Sequence, residues 1–120
     1  MNFTFFIPVP KAKKSEMLTF YQSLGLTEPE NAFQQHIKVD FIAGKGGGIY
    51  GKNMLVIDAD DADDAPLFIR KVINKQGVEL IRHPDSDAIT ARLEDPLGNL
   101  LLINLKHPPC LPEENILIVD

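Results

Sequence analysis

The sequence is poor in cysteine and contains no tryptophan. Its single cysteine, Cys110, excludes an internal disulfide framework and is typical of a protein kept in a reducing compartment. Long apolar runs are missing too: none approaches the ~20 residues of a membrane-spanning helix. The apolar first residues lack a basic segment and a small-residue cleavage site, so they indicate a strand rather than a secretion signal. We therefore expect a soluble, cytoplasmic protein with no membrane partner.

Basic charge is also scarce. The 12 lysines and arginines are outnumbered by 17 aspartates and glutamates, which gives a formal net charge of -5. The sequence has one cluster of basic residues, Lys11, Lys13 and Lys14, which is typical of a solvated helix start. A protein that binds the phosphate backbone needs a larger basic face. The composition therefore predicts no nucleic-acid partner.

What the sequence does contain is an ordered series of strand and helix patterns. A helix is predicted at 15–24 by apolar residues at helical spacing and by Gly25 just past its end. A second helix carries the apolar stripe Phe68, Ile69, Val72 and Ile73 and ends before Gly77. Apolar and alternating segments predict strands at 2–9, 35–43, 53–57, 78–81, 88–93 and 99–105.

The two halves of this series resemble each other. Shifting the chain on itself by 52 residues aligns Met17 with Ile69 and Gly25 with Gly77, so that helix stripes and glycine caps coincide. This indicates a duplicated βαβββ unit and an α+β fold with mixed sheets. We expect one domain at 1–106, with modules at about 1–51 and 52–106. A proline-rich tail with a short apolar strand follows at 107–120.

Two motifs carry a resemblance to a known superfamily. The segment "FYQSLGL" (20–26) looks like a first-helix ending of the vicinal oxygen chelate superfamily, and "DPLGNLLLI" (95–103) looks like its closing turn and last strand. That superfamily includes glyoxalase I, bleomycin-resistance proteins and extradiol dioxygenases. The resemblance implies two βαβββ modules whose sheets curve around one cavity, commonly completed in a homodimer. In metal-dependent members, histidines and glutamates from the first and last strands of each module bind a divalent ion that polarises the substrate.

Those ligand positions carry other residues here. The acid of the final strand would stand four residues after Gly98, where this chain has Leu102. The 52-residue offset sends that position to Tyr50, and the first-strand positions fall on Thr4 and close to Met54. These side chains offer neither the charge nor the donor set that a catalytic cation needs. We therefore predict no metal and no cofactor.

An apolar wall instead suits an organic ligand. We expect the cavity wall to include Thr4, Phe6, Tyr50, Met54, Arg92 and Leu102. The first functional hypothesis is a metal-free small-molecule-binding protein resembling the bleomycin-resistance branch, and so not an enzyme. One alternative is a metal-dependent, glyoxalase-like lyase or isomerase whose ligands stand elsewhere in the sequence. Another is a non-catalytic homodimer in which side chains fill the interior and no ligand binds.

Overall fold

The computed structural model describes residues 3–27, 37–43, 50–62, 64–82 and 88–105, together with the backbone of 116–118. Within these ranges the fold is α+β, as the sequence predicts. Short 3-10 turns at Lys11–Lys13 and Ala59–Asp61 precede the two helices. The strands and helices, in chain order, are β1 (Phe3–Val9), α1 (Lys14–Ser23), β2 (Ile37–Ala43), β3 (Met54–Asp58), α2 (Ala65–Ile73), β4 (Glu79–Arg82), β5 (Ile89–Glu94), β6 (Leu100–Leu105) and β7 (Ile116–Ile118).

The first half pairs β1 with β2 in parallel, with Phe3 opposite Ile37 and Val9 opposite Ala43. Side chains alternate along a strand, so every second residue faces the core. On β1 these include Ile7 and Val9, which are buried. Helix α1 covers this face, since the ring of Tyr21 lies 5.8 Å from that of Phe41 on β2. The other face, which carries Thr4 and Phe6, is called here the open face of the first sheet.

The second half is a complete βαβββ module. Its strands lie in the order β3-β6-β5-β4-β7, with β6 parallel to β3 and antiparallel to β5. Helix α2 begins after Asp64, whose carboxylate accepts a hydrogen bond from the backbone N–H of Leu67. The helix buries Phe68, Ile69 and Val72, three residues of the predicted stripe. The apolar tail segment β7 extends this sheet by parallel pairing with β4.

The predicted repeat holds for strand, helix and cap but not for the last strand of the first half. Gly25 and Gly77, which the 52-residue offset aligns, each follow a helix, and both have a positive φ. Lys75 Nζ donates to Ser23 Oγ, so two residues related by the 52-residue offset are in contact. However, the strand that lies parallel to β1 is β2, whereas Tyr50 stands outside the strands. Leu102 lies on the strand parallel to β3, but Tyr50 does not lie on the strand parallel to β1. The predicted equivalence of Tyr50 with Leu102 is therefore wrong.

Both halves contribute to one hydrophobic core. Met17, Tyr21 and Leu24 of the first half are fully buried, as are Leu101 and Ile103 of β6. The face of the second sheet opposite this core carries Met54, Val56, Leu102 and Asn104, and is called here the open face of the second sheet. Neither of the two described helices has the length and apolarity needed to cross a membrane.

Candidate functional site

The two motifs that carry the superfamily resemblance meet inside the protein. Tyr21 of the first motif donates its phenolic O–H to Asp95 Oδ2 of the second, at 2.7 Å. Asn99 Nδ2 donates to the same oxygen at 2.8 Å, while Asp95 Oδ1 accepts from the backbone N–H groups of Leu97 and Asn99 at 2.9 Å. Both carboxylate oxygens are thus held by two donors each. The hydrogen bond from Tyr21 to Asp95 thus links the turn at 95–99 to helix α1.

This network is buried. Tyr21 and Asn99 are completely buried and Asp95 is 5% exposed, so a ligand in solution has no path to their polar atoms. Burial raises the pKa of the Tyr21 phenol far above its ordinary value, and the charge of Asp95 and its hydrogen bond raise that pKa further. Asn99 Oδ1 also accepts from the backbone and side-chain N–H groups of Asn53, both at 3.1 Å. The residues that carry the superfamily resemblance are therefore buried and hydrogen-bonded to one another.

The predicted wall residues lie on the open faces of the two sheets, apart from Tyr50. Thr4 and Phe6 are exposed on the first sheet, and Phe6 keeps 63% of its surface accessible. On the second sheet Arg92 stands directly opposite Leu102 across the β5–β6 pair. Arg92 also forms an exposed ion pair with Glu79, with Nη1 3.3 Å from Oε1. Tyr50 is exposed and stands outside the strands.

The side chains at the four ligand positions predicted from the sequence do not fit a divalent metal ion. Thr4 and Tyr50 offer only hydroxyl groups, while Met54 and Leu102 offer no oxygen or nitrogen donor at all. Within the described residues there is also no group of three His, Cys, Asp or Glu side chains placed to share an ion. Divalent catalytic ions take imidazole, carboxylate or thiolate ligands. No reaction step through a metal is therefore derived for these positions.

A cavity of about 270 Å³ opens where the first sheet meets the edge of the second. We call it the sheet-junction cavity. Its lining residues come from both sheets and from the turn after β3: Phe3, Phe5, Ile37, Val56, Ile57, Asp58, Asp61 and Asn104. The aromatic and aliphatic side chains form most of the wall, and the two carboxylates and the amide supply the polar part. Phe5 also packs against the hydrophobic core, which fixes one wall of the cavity.

A row of polar side chains crosses β5, β6 and β3, and two of its residues, Asn104 and Asp58, line this cavity. Thr90 Oγ1 donates to Asn104 Oδ1 at 3.3 Å, and Asn104 Nδ2 donates to Asp58 Oδ1 at 3.2 Å. The register explains this row, because Asn104 stands opposite Thr90 on one side and Asp58 on the other. The amide of Asn104 is therefore held in one orientation and in turn positions the Asp58 carboxylate.

The lining residues are close neighbours of the residues predicted from the sequence, but not the same ones. Val56 and Asn104 stand two positions after Met54 and Leu102, on the same strands and the same open face. Phe3 and Phe5 flank Thr4 but point to the opposite face of β1. One sequence signal marks this region: Asn104 interrupts the apolar run of β6 with a single polar residue. Asn104 is therefore a lining residue that we did not predict from the sequence.

Comparisons with known proteins support the fold assignment. No protein-family model matches the chain, and no curated protein matches it at a significant level. Among solved structures the chain is similar to one described as a "putative glyoxalase family protein from Bacillus anthracis", with a TM-score of 0.54. The alignment covers 87% of this chain and 93% of that chain at 17% sequence identity. At this identity the likeness concerns the fold alone, and the fold of this chain is glyoxalase-like.

Proposed function

We propose that this protein binds a small organic molecule in the sheet-junction cavity, without a metal ion and without catalysing a reaction. The observation that carries the proposal is the composition of the cavity wall: aromatic and aliphatic side chains form most of it, and the polar remainder includes Asn104 and Asp58, which are joined by a hydrogen bond. Organic-ligand sites have this composition. A volume of about 270 Å³ lies just below the range of about 300–1,000 Å³ for such sites, which favours a small ligand.

The same observation weighs against the two alternatives. A side-chain-filled interior would leave no space between the sheets, whereas the two Phe rings and Val56 border an open cavity. A metal-dependent lyase or isomerase needs imidazole or carboxylate donors converging on one point. Asp58 and Asp61 are the ionisable side chains among the lining residues in the described part of the chain. Sequestration of a ligand, as in the bleomycin-resistance branch of the superfamily, remains our preferred function.

A cytoplasmic homodimer is part of the same proposal. The open faces carry exposed apolar side chains, among them Phe6, Ile42 and Met54, of which 49–63% of the surface is accessible. Large exposed apolar groups in one region favour a contact with another surface. Sedimentation equilibrium of the purified chain tests this, since the proposal expects the mass of two chains and a monomer would contradict it.

The binding proposal is tested by filling the cavity. Val56 lines the cavity and is 53% exposed, so Val56→Trp adds volume there without overpacking the core. A ligand-observed NMR screen of small aromatic and aliphatic compounds should find binders of the natural chain. We expect Val56→Trp to weaken them by about tenfold or more, because the indole occupies their space.

Met54→Trp is the matched control. Met54 stands two residues earlier on the same strand and face, is 61% exposed, and does not line the cavity. We expect this variant to bind the same compounds as the natural chain. If Met54→Trp loses binding and Val56→Trp retains it, the ligand binds at the wall predicted from the sequence and not in the sheet-junction cavity. A screen without any binder would contradict the proposed function itself.

A further inference from the structure

The sheet-junction cavity lies along an edge of the second sheet. Two consecutive residues of β3 line it: Val56, whose side chain is on the open face, and Ile57, whose side chain is buried on the core face. A cavity that touches both faces of one strand runs along the edge of that strand. Within the described residues β3 pairs with β6 alone, so the cavity lies along the opposite side of β3, called here the free edge.

The hydrogen bonds to β6 determine which backbone groups of β3 face the free edge. The N–H of Leu100, which stands opposite Met54, donates to the carbonyl oxygen of Asn53 at 2.9 Å. Residues that bond to a parallel neighbour alternate along a strand, so Asn53 and Leu55 turn their backbone groups towards β6. Met54 and Val56 turn theirs to the free edge, where no described group bonds to them. An N–H and a C=O at every second residue is what an added strand pairs with.

We propose that this edge binds an extended peptide with apolar side chains, which adds a strand to the second sheet. The inference rests on the proposed function, since it names the chemical class of the ligand for the same cavity. Val56 offers a backbone donor and a backbone acceptor on one side of the strand. One residue of an extended peptide presents the same two groups in complementary order, so each such residue gains two hydrogen bonds.

The surfaces on both sides of the free edge are apolar. On the open face the side chains of Met54 and Val56 are 61% and 53% exposed. On the core face the cavity wall includes Phe5, Ile37 and Ile57. Because successive side chains of an added strand point to opposite faces, one packs on Val56 and the next enters the cavity. A volume of about 270 Å³ takes the side chains of a single strand but no folded domain.

The opposite edge of the same sheet shows the kind of segment that fits. There the apolar tail segment β7, Ile116–Ile118, pairs in parallel with β4. The free edge of β3 has the same character, since 54–57 includes no charged residue and no proline. Proteins commonly protect exposed edges with lysine, proline or a bulge. A short apolar strand therefore suits β3 as it suits β4.

N-methylated peptides test strand addition directly. The parent probe is acetyl-Val-Leu-Val N-methylamide, and its analogues carry one N-methyl group on the first, the second or the third residue. Each methyl group removes one N–H and leaves the side chains unchanged. Dissociation constants are measured by NMR titration of the full chain. Because alternate N–H groups of an added strand face β3, we expect weakening by about fivefold or more either for the first and third analogues or for the second alone. The other analogues should bind within about twofold of the parent.

Amide hydrogen exchange locates the added strand. The N–H of Val56 faces the free edge, so saturating peptide should slow its exchange by about tenfold or more. Leu55 is the matched control in the same strand, because its N–H is already directed towards β6 and its exchange should be unaffected by the peptide.

Val56→Pro removes the outward N–H from the protein. Proline is tolerated on an edge strand where the N–H has no partner, so we expect this variant to fold. Val56→Ala is the comparison, since it shortens the same side chain and keeps the N–H. The proline variant should bind the parent peptide about fivefold more weakly than the alanine variant does. If Val56→Pro does not fold, the N-methyl series and the exchange of Val56 still decide, because both use the natural chain.

The outcomes distinguish this inference from the proposed function. Equal affinities of all the analogues, unchanged exchange of Val56, or equal binding by Val56→Pro and Val56→Ala would overturn strand addition by a peptide. So would slow exchange of Val56 that depends on protein concentration and not on peptide, because a second copy of the chain would then occupy the edge. In each case small-molecule binding stands if the compound screen finds ligands that Val56→Trp weakens. Absence of binding for the peptides and for every screened compound would overturn both proposals.

Discussion

At the scale of single residues, the contact between Tyr21 and Asp95 should contribute measurably to stability. Tyr21→Phe keeps the buried ring and removes the O–H that donates to the carboxylate at 2.7 Å. Because a hydrogen bond to a charged acceptor is worth about 1.5–3 kcal/mol, we expect the free energy of unfolding in urea to fall by about 2 kcal/mol. Tyr50→Phe removes the same group from an exposed ring and should change it by less than about 0.5 kcal/mol.

The same pair predicts a pH dependence. The pKa of Tyr21 is raised in the folded state, by burial first and by Asp95 second, above the value of about 10 in the unfolded chain. Above that pH the unfolded state releases a proton that the folded state keeps, so the contribution of Tyr21 is complete below pH ~10 and is lost as the pH rises. The difference in unfolding free energy between the natural chain and Tyr21→Phe should fall by about 1.4 kcal/mol per pH unit there. A difference that stays constant between about pH 9 and pH 11 would contradict this.

At the scale of elements, the closing turn depends on a close approach of two backbones. Gly51 has φ +71°, and a Cβ atom there would stand 2.0 Å from the carbonyl oxygen of Leu97. Gly51→Ala must therefore displace the turn between β5 and β6, and we expect a loss of about 3 kcal/mol in urea denaturation. Gly77 has a similar φ of +87° with nothing within 4 Å of the added atom, so Gly77→Ala should cost only about 1 kcal/mol. Equal losses in the two variants would show that the contact with Leu97 has no effect.

The elements themselves follow closely from local sequence patterns, but one pairing does not. The stripe Phe68, Ile69 and Val72 and the turn before β6 each carry their own signal over a few residues, so these features are found where expected. The parallel pairing of β2 with β1 joins residues more than thirty positions apart, so it depends on tertiary contacts rather than on a local pattern. A constant offset of 52 residues could not predict it, because the first half does not repeat the strand spacing of the second.

At the scale of the whole molecule, the sequence predicts the fold more completely than the site. Met54 and Leu102 were predicted to face a cavity from the superfamily resemblance, and the structure has both on the open face of the second sheet. The sheet-junction cavity depends instead on how the start of β1 lies relative to the end of β3, which no local pattern encodes. Phe3 and Asp61 are brought to one cavity only by this arrangement of the two halves.

The central claim is that a small organic molecule binds in the sheet-junction cavity without a metal ion. The most direct test maps the amide and side-chain NMR shifts of the natural chain on titration with the tightest binder from the compound screen, with and without EDTA. We predict shifts centred on Val56, Ile57 and Asn104 that are the same in both conditions. Shifts centred on Thr4, Met54 and Leu102 that disappear with EDTA would contradict the account and support a metal site at the superfamily's positions.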